Sequence, residues 1–239
     1  MSRFALRATA SLLLLASAVM FVAAAAQRWW PACRRGAFET DACLRLQDHA
    51  LDHLLVADPW TPAGHAAQYA GVAMIVLAGA AVVLPFLLVR RPLWFAVTVA
   101  ISTAGALTLL GAHAWTSGAA GQVQPTPGLT AAVLVLAVVV PVAAGIWAAR
   151  EVGAGPDPSR DRWTLALAAA LIASSPLPTW LLGPLVVLYS SHDTSPWSDA
   201  VVSLPLVAAA ALVWKVTPRG TPRAPAPPRR AGTLADVPG

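Results

Sequence analysis

The feature that most constrains this chain is a set of long apolar blocks separated by short pieces rich in Pro and Arg. A helix needs about 20 predominantly apolar residues to cross a hydrocarbon core of about 30 Å. Six blocks meet or approach that length: Ala8–Ala26, Ala67–Val89, Leu93–Ala114, Leu129–Ala149, Thr164–Tyr189 and Ala200–Val216. Alternating ten-residue strands, the mark of a membrane barrel, are absent. Only 11% of the 239 residues are charged, against about 25% in a soluble domain. These features predict an all-α polytopic transmembrane bundle of about six spans. The last span is the shortest.

The basic residues predict orientation. Arg3 and Arg7 precede the first block, and Arg90 and Arg91 fill the turn between the second and third. Arg150, Arg160 and Arg162 separate the fourth from the fifth, and Lys215, Arg219 and Arg223 follow the sixth. Positive charge collects on the cytoplasmic side, so both termini are expected inside. The loop over 115–128 carries no charge, and that over 190–199 carries only Asp193 and Asp199. Both are expected outside, together with the longest loop, 27–66. The organisation is then a first span over 1–26, an extracytoplasmic loop over 27–66, a five-span bundle over 67–216 and a disordered cytoplasmic tail over 217–239. Fifteen arginines to one lysine, with abundant Ala, Val, Pro and Gly, suggest a GC-rich bacterial genome and hence the bacterial cytoplasmic membrane.

The first block also reads as a signal peptide, with a basic start and small residues before Gln27. Cleavage near Ala26 would leave five spans and an outside N-terminus. Its length favours an uncleaved anchor.

The net charge of +5 sits at block ends and in the tail, without interleaved aromatics. Nucleic acid is therefore not an expected partner; the lipid bilayer is, along with other membrane proteins. No Asp, Glu, Lys or Arg falls near the middle of a block, which counts against an ion-coupled carrier. No nucleophile–base pair or phosphate-binding motif points to an enzyme. Within the blocks, "SSPLPTWLLGP" (174–184) predicts a kinked helix. Thr98, Ser102 and Gly105 share one helical face and predict a packing seam.

The long loop holds both cysteines. Cys33 and Cys43, ten residues apart on the expected oxidising side, predict a structural disulfide, with free thiols or metal ligation as alternatives. The stretch "TDACLRLQDHALDHLLVADPW" follows. Capped by Thr40 or Asp41 and stopped by Pro59, it predicts an amphipathic helix of about four turns. Its polar side would carry Arg45, Asp48, His49, Asp52 and His53. Two imidazoles one turn apart suit a metal ion, and Zn²⁺ or Cu²⁺ takes such nitrogens with carboxylate oxygen. All five histidines (His49, His53, His65, His113 and His192) fall on the expected outer side. His49, His53, Asp48, Asp52, His113 and His192 are thus the candidate metal or pH-responsive set. The plainer reading is a solvated helix face, with no cofactor at all. The function expected is non-catalytic: a structural, assembly or interaction component, with extracytoplasmic metal handling or pH response as the alternative.

Overall fold

The computed structural model describes residues 2–88, 93–152, 158–191 and 193–216, with the side chains of 158–161 and 176–181 left out. The Arg90–Arg91 turn, the side chain of Arg160, His192 and the tail over 217–239 lie outside the described residues. The described chain is helical: α1 (Arg3–Trp29), α2 (Asp41–Leu46), α3 (Ala66–Leu88), α4 (Leu93–Ala120), α5 (Leu129–Leu134), α6 (Val140–Glu151), α7 (Pro158–Ala173), α8 (Pro176–Val187) and α9 (Ser203–Leu212).

Four helical stretches among the described residues are long and apolar enough to cross a membrane: Arg3–Trp29, Ala66–Leu88, Leu93–Ala120 and Leu129–Glu151. The fifth and sixth expected spans are shorter. Arg162–Ala173 and Ser198–Leu212 are apolar helices below crossing length, so the described residues carry four candidate spans where the sequence predicts six.

The fifth segment breaks where its prolines begin. Ser175 precedes Pro176 and takes an extended conformation (φ −79°, ψ 157°), as the residue before a proline prefers. The broken turn leaves carbonyls without their helical partners. Ser174 Oγ donates to Leu171 O at 2.8 Å, and Ser175 Oγ to Ile172 O at 2.7 Å. The Ser174 hydroxyl thus replaces a lost backbone donor at Leu171 O, and that of Ser175 joins its own N–H, 3.0 Å from Ile172 O, as an apolar surrounding favours.

The fourth stretch is continuous but widens into a π turn over Val135–Val139, just before Pro141. The proline ring has no N–H and crowds the carbonyl four residues back, and a wider turn relieves that crowding.

Packed pairs follow the chain. Helix α1 lies on α3, α3 on α4, α4 on α5, α6 on α7, α7 on α9, and α9 returns to α1. The segments close into a ring. The tightest crossing joins α3 to α4. A Cβ added to Gly71 would lie 2.5 Å from Gly111 O, and one on Gly111 would lie 2.7 Å from Gly71 O. Absent side chains let the two backbones touch. The expected Thr98–Ser102–Gly105 seam is not used: Thr98 and Gly105 are exposed, and Ser102 Oγ donates to its own helix at Thr98 O, 2.8 Å away. Polar tethers close the ring elsewhere. Ser17 Oγ donates to Ala73 O and Ser11 Oγ to Ala210 O, at 2.9 and 2.8 Å.

Inside the ring is a cavity of about 580 Å³, lined by every segment of it. Leu88, Phe95 and Trp147 line its far end; Arg28, Asp52, His53, Thr194, Ser198 and Asp199 line the end beneath the 27–66 loop.

Candidate functional site: a buried polar cluster at the loop end of the cavity

The loop is built around Arg28. This residue lies in the last turn of α1 and is 2% exposed. An unpaired buried guanidinium would be costly, and each of its three nitrogens makes a hydrogen bond. Nε donates to Leu46 O at 2.9 Å and Nη2 to Asp48 O at 2.9 Å, while Nη1 pairs with Asp52 Oδ1. The guanidinium also lies over the Trp29 ring, 4.3 Å from its centroid.

These bonds explain why the expected four-turn amphipathic helix does not form. Helix α2 begins as expected, with Thr40 Oγ1 accepting from Cys43 N at 3.4 Å. It ends at Leu46, after six residues. Arg28 takes the carbonyls of Leu46 and Asp48, and Thr194 N takes that of Gln47 at 2.9 Å. Asp48 leaves helical geometry (φ −59°, ψ 130°), and its side chain accepts from Ala50 N at 2.8 Å, starting a single 3₁₀ turn over His49–Leu51. Side chains read from a helical wheel as one polar face therefore separate.

His49 stays exposed, with Nδ1 3.2 Å from Asp193 Oδ1 and 3.6 Å from Asp48 Oδ1. Those three residues offer ligand atoms within 4.8 Å of one another. His53 turns inward and is 2% exposed. His113, also buried, is committed elsewhere: Nε2 donates to Val56 O at 2.8 Å, and Nδ1 lies 2.9 Å from Thr126 Oγ1. It ties α4 to the end of the loop. The structure brings His49 together with Asp48, and Asp52 together with Arg28, but sets His49, His53 and His113 among different partners. His192 lies outside the described residues.

Cys33 and Cys43 stand at disulfide distance, with Cα atoms 4.9 Å apart. Both are buried, in a small core with Ala25 and Trp29. Trp197 closes this core and donates from Nε1 to Cys33 O at 2.7 Å. Its backbone is left-handed (φ 63°), a conformation that costs an ordinary residue about 1–2 kcal/mol. The indole bond and the packing hold it there.

The partner of His53 is a residue absent from the sequence-derived set. Asp199, 7% exposed, opens the apolar segment that ends in α9, and its Oδ2 lies 3.3 Å from His53 Nε2. Trp29 Nε1 donates to Asp199 Oδ1 at 2.8 Å. Thr194 Oγ1 donates to Asp52 Oδ1, also at 2.8 Å. Burial lowers the His53 pKa below the ordinary 6.5; the charge of Asp199 works the other way, that of Arg28 lowers it further and that of Asp52 raises it. Burial outweighs the carboxylates because the ring has lost its water on every side.

Arg28 and Asp199 could have been suspected from sequence. Each is a charge set at the edge of an apolar block, where it is costly unless paired. Their separation by 171 residues hid the relationship.

No protein-family model, curated protein or solved structure matches this chain.

Proposed function

We propose that this chain is a multi-pass integral protein of the bacterial cytoplasmic membrane, serving as a non-catalytic structural, assembly or interaction component. Both termini are cytoplasmic and the 27–66 loop is outside. The short helices α7 and α8 together make the fifth crossing, and Ser198–Leu212 makes the sixth. The carrying observation is the use made of Arg28. Its three hydrogen-bonding groups pin the loop across the helix ends, a use of buried charge that fixes shape rather than reacting with a substrate. The packing of α1 between α3 and α9 supports its retention as an anchor, because its removal would open the ring.

The pinned cap presents exposed apolar side chains, Trp30 (59%) and Leu44 (46%) among them, and these suit a partner in the membrane or on its outer surface. A photo-reactive amino acid at either position, activated in intact cells, should give a discrete protein adduct. Adducts with lipid alone at both positions would contradict the interaction reading.

A second reading, metal handling, is favoured by the Asp48–His49–Asp193 grouping. Zn²⁺ or Cu²⁺ would take His49 nitrogen and two carboxylates, a set open to solvent. Purified protein should then carry about one ion per chain, lost in His49→Ala and released by acid below roughly pH 6. Metal-free protein after dialysis against micromolar Zn²⁺ would remove this reading.

A further inference from the structure

The loop end of the cavity holds polar atoms that face one another without forming a well-directed hydrogen bond. Neither ring nitrogen of His53 nor Oδ2 of Asp199 has a hydrogen bond among the described residues. Both side chains line the cavity and both are more than nine-tenths buried. Their neighbours are committed: Arg28 to the loop carbonyls and Asp52, Thr194 to Asp52, and Trp29 to the other oxygen of Asp199. A buried polar atom left unpaired is costly, and native folds keep few of them. At 3.3 Å apart, the His53 ring and the Asp199 carboxylate leave a donor and an acceptor side by side.

Away from this end the wall is mainly apolar, with Met74, Leu107, Leu136, Val140 and Leu206 upon it; Thr103, Ser174 and Ser175 add hydroxyls to the lining, Thr103 Oγ1 having no hydrogen bond among the described residues, and no charged side chain joins them. The volume of about 580 Å³ falls within the ~300–1,000 Å³ of small-molecule sites. The occupant that fits has one polar end and one long apolar body.

Charge decides what that polar end is. Arg28 is matched by Asp52, so Asp199 makes the cluster negative when His53 is neutral, and an anionic head is repelled. A cationic head would meet the Arg28 guanidinium and gain nothing from an imidazole N–H. An uncharged hydroxyl matches both groups: it donates to Asp199 Oδ2 and accepts from the His53 N–H.

We propose that the ring binds a single-chain lipid with an uncharged hydroxyl head group, whose hydroxyl bridges His53 and Asp199 and whose chain lies along the apolar cavity. This inference goes beyond the interaction role and does not depend on which side of the membrane the loop faces. Monoacylglycerols and isoprenoid alcohols share this chemistry, and separate probes distinguish them.

The test is saturable binding of radiolabelled mono-oleoylglycerol and of geranylgeraniol to the full chain in lipid nanodiscs, measured over empty discs. At least one should bind at about one molecule per chain, and the tail that binds identifies the source. Unlabelled oleate, oleylamine and methyl oleate should compete at least about tenfold less well, since each fails to match one of the two hydrogen bonds or the charge. Ala144→Phe, which fills the cavity without touching the polar cluster, should abolish binding. Asp199→Ala should weaken it by at least about tenfold. The competition series needs no variant to fold. Absence of saturable binding for both alcohols would overturn the proposal. So would competition by oleate or oleylamine equal to that of the alcohols, or unchanged binding in a folded Ala144→Phe protein.

Discussion

The indole Nε1 of Trp29 donates to Oδ1 of Asp199 across 2.8 Å, joining the end of the first long helix to the start of the last apolar segment. Arg28, one residue earlier, holds the loop between those segments. Two adjacent residues thus fasten both the ring and its cover, and the His53–Asp199 pair is enclosed between them.

Removing the guanidinium should be the most damaging single change in the loop. Arg28→Met keeps an apolar stem but removes the guanidinium bonds to Asp52 and to the carbonyls of Leu46 and Asp48, leaving Asp52 Oδ1 only Thr194 and Asp48 O only Leu51 N. Breaking a buried pair costs about 3–5 kcal/mol. The lower figure, about 3 kcal/mol, is expected because the Asp52 side chain is 37% exposed and can regain water. Equilibrium unfolding in mixed micelles measures it, and a change within about 0.5 kcal/mol, the range of ordinary surface substitutions, would show that Arg28 does not hold the loop.

The α3–α4 crossing gives a paired comparison. Gly71→Ala would drive a methyl group to 2.5 Å from Gly111 O, and relieving that overlap should cost about 1–3 kcal/mol. Gly105→Ala meets nothing within 4 Å and should stabilise α4 by about 0.5–1 kcal/mol through the lost flexibility of glycine. Equal effects at both sites would mean that the helices do not cross at Gly71.

How far these relationships were legible in the sequence depends on their range. The apolar blocks announced long helices, because length and hydrophobicity act locally. The Ser-Pro break was also legible, since proline acts on its own neighbours. The four-turn helix over the Asp-His stretch was not, because its pattern is outvoted by Arg28 from α1 and by Thr194, 142 residues beyond Asp52. Spacing places His49 and His53 on one helical face, but spacing holds only while the helix does. The packing seam was obscured differently. In a chain this rich in Gly and Ala every face offers small residues, and only the fold selects Gly71 and Gly111.

Acid should weaken the fold through His53. Burial holds its folded pKa below the ordinary 6.5, while the unfolded chain takes up the proton near that value. Between the two values the unfolded state binds more protons, so stability rises with pH there. The contribution of His53 is fully present above about pH 6.5 and is lost as pH falls through the folded value. His53 faces Asp199, Arg28 and Asp52. Stability measured from pH 7 to pH 5 should therefore fall in the parent protein and stay nearly flat in His53→Gln. Parallel curves would assign the acid sensitivity to another group.

The proposed arrangement is a ring of segments crossing the membrane six times beneath an outer loop. Its most direct test is a compartment-sensitive reporter fused in turn after Ala120, Glu151, Thr194 and Val216. Three crossings separate the first position from the last: the stretch ending in α6, the broken pair α7 and α8, and α9. Six crossings predict external readings after Ala120 and Thr194 and cytoplasmic readings after Glu151 and Val216. A cytoplasmic reading after Thr194 would show that α7–α8 does not cross and leave four spans, and a cytoplasmic reading after Ala120 would contradict the orientation itself.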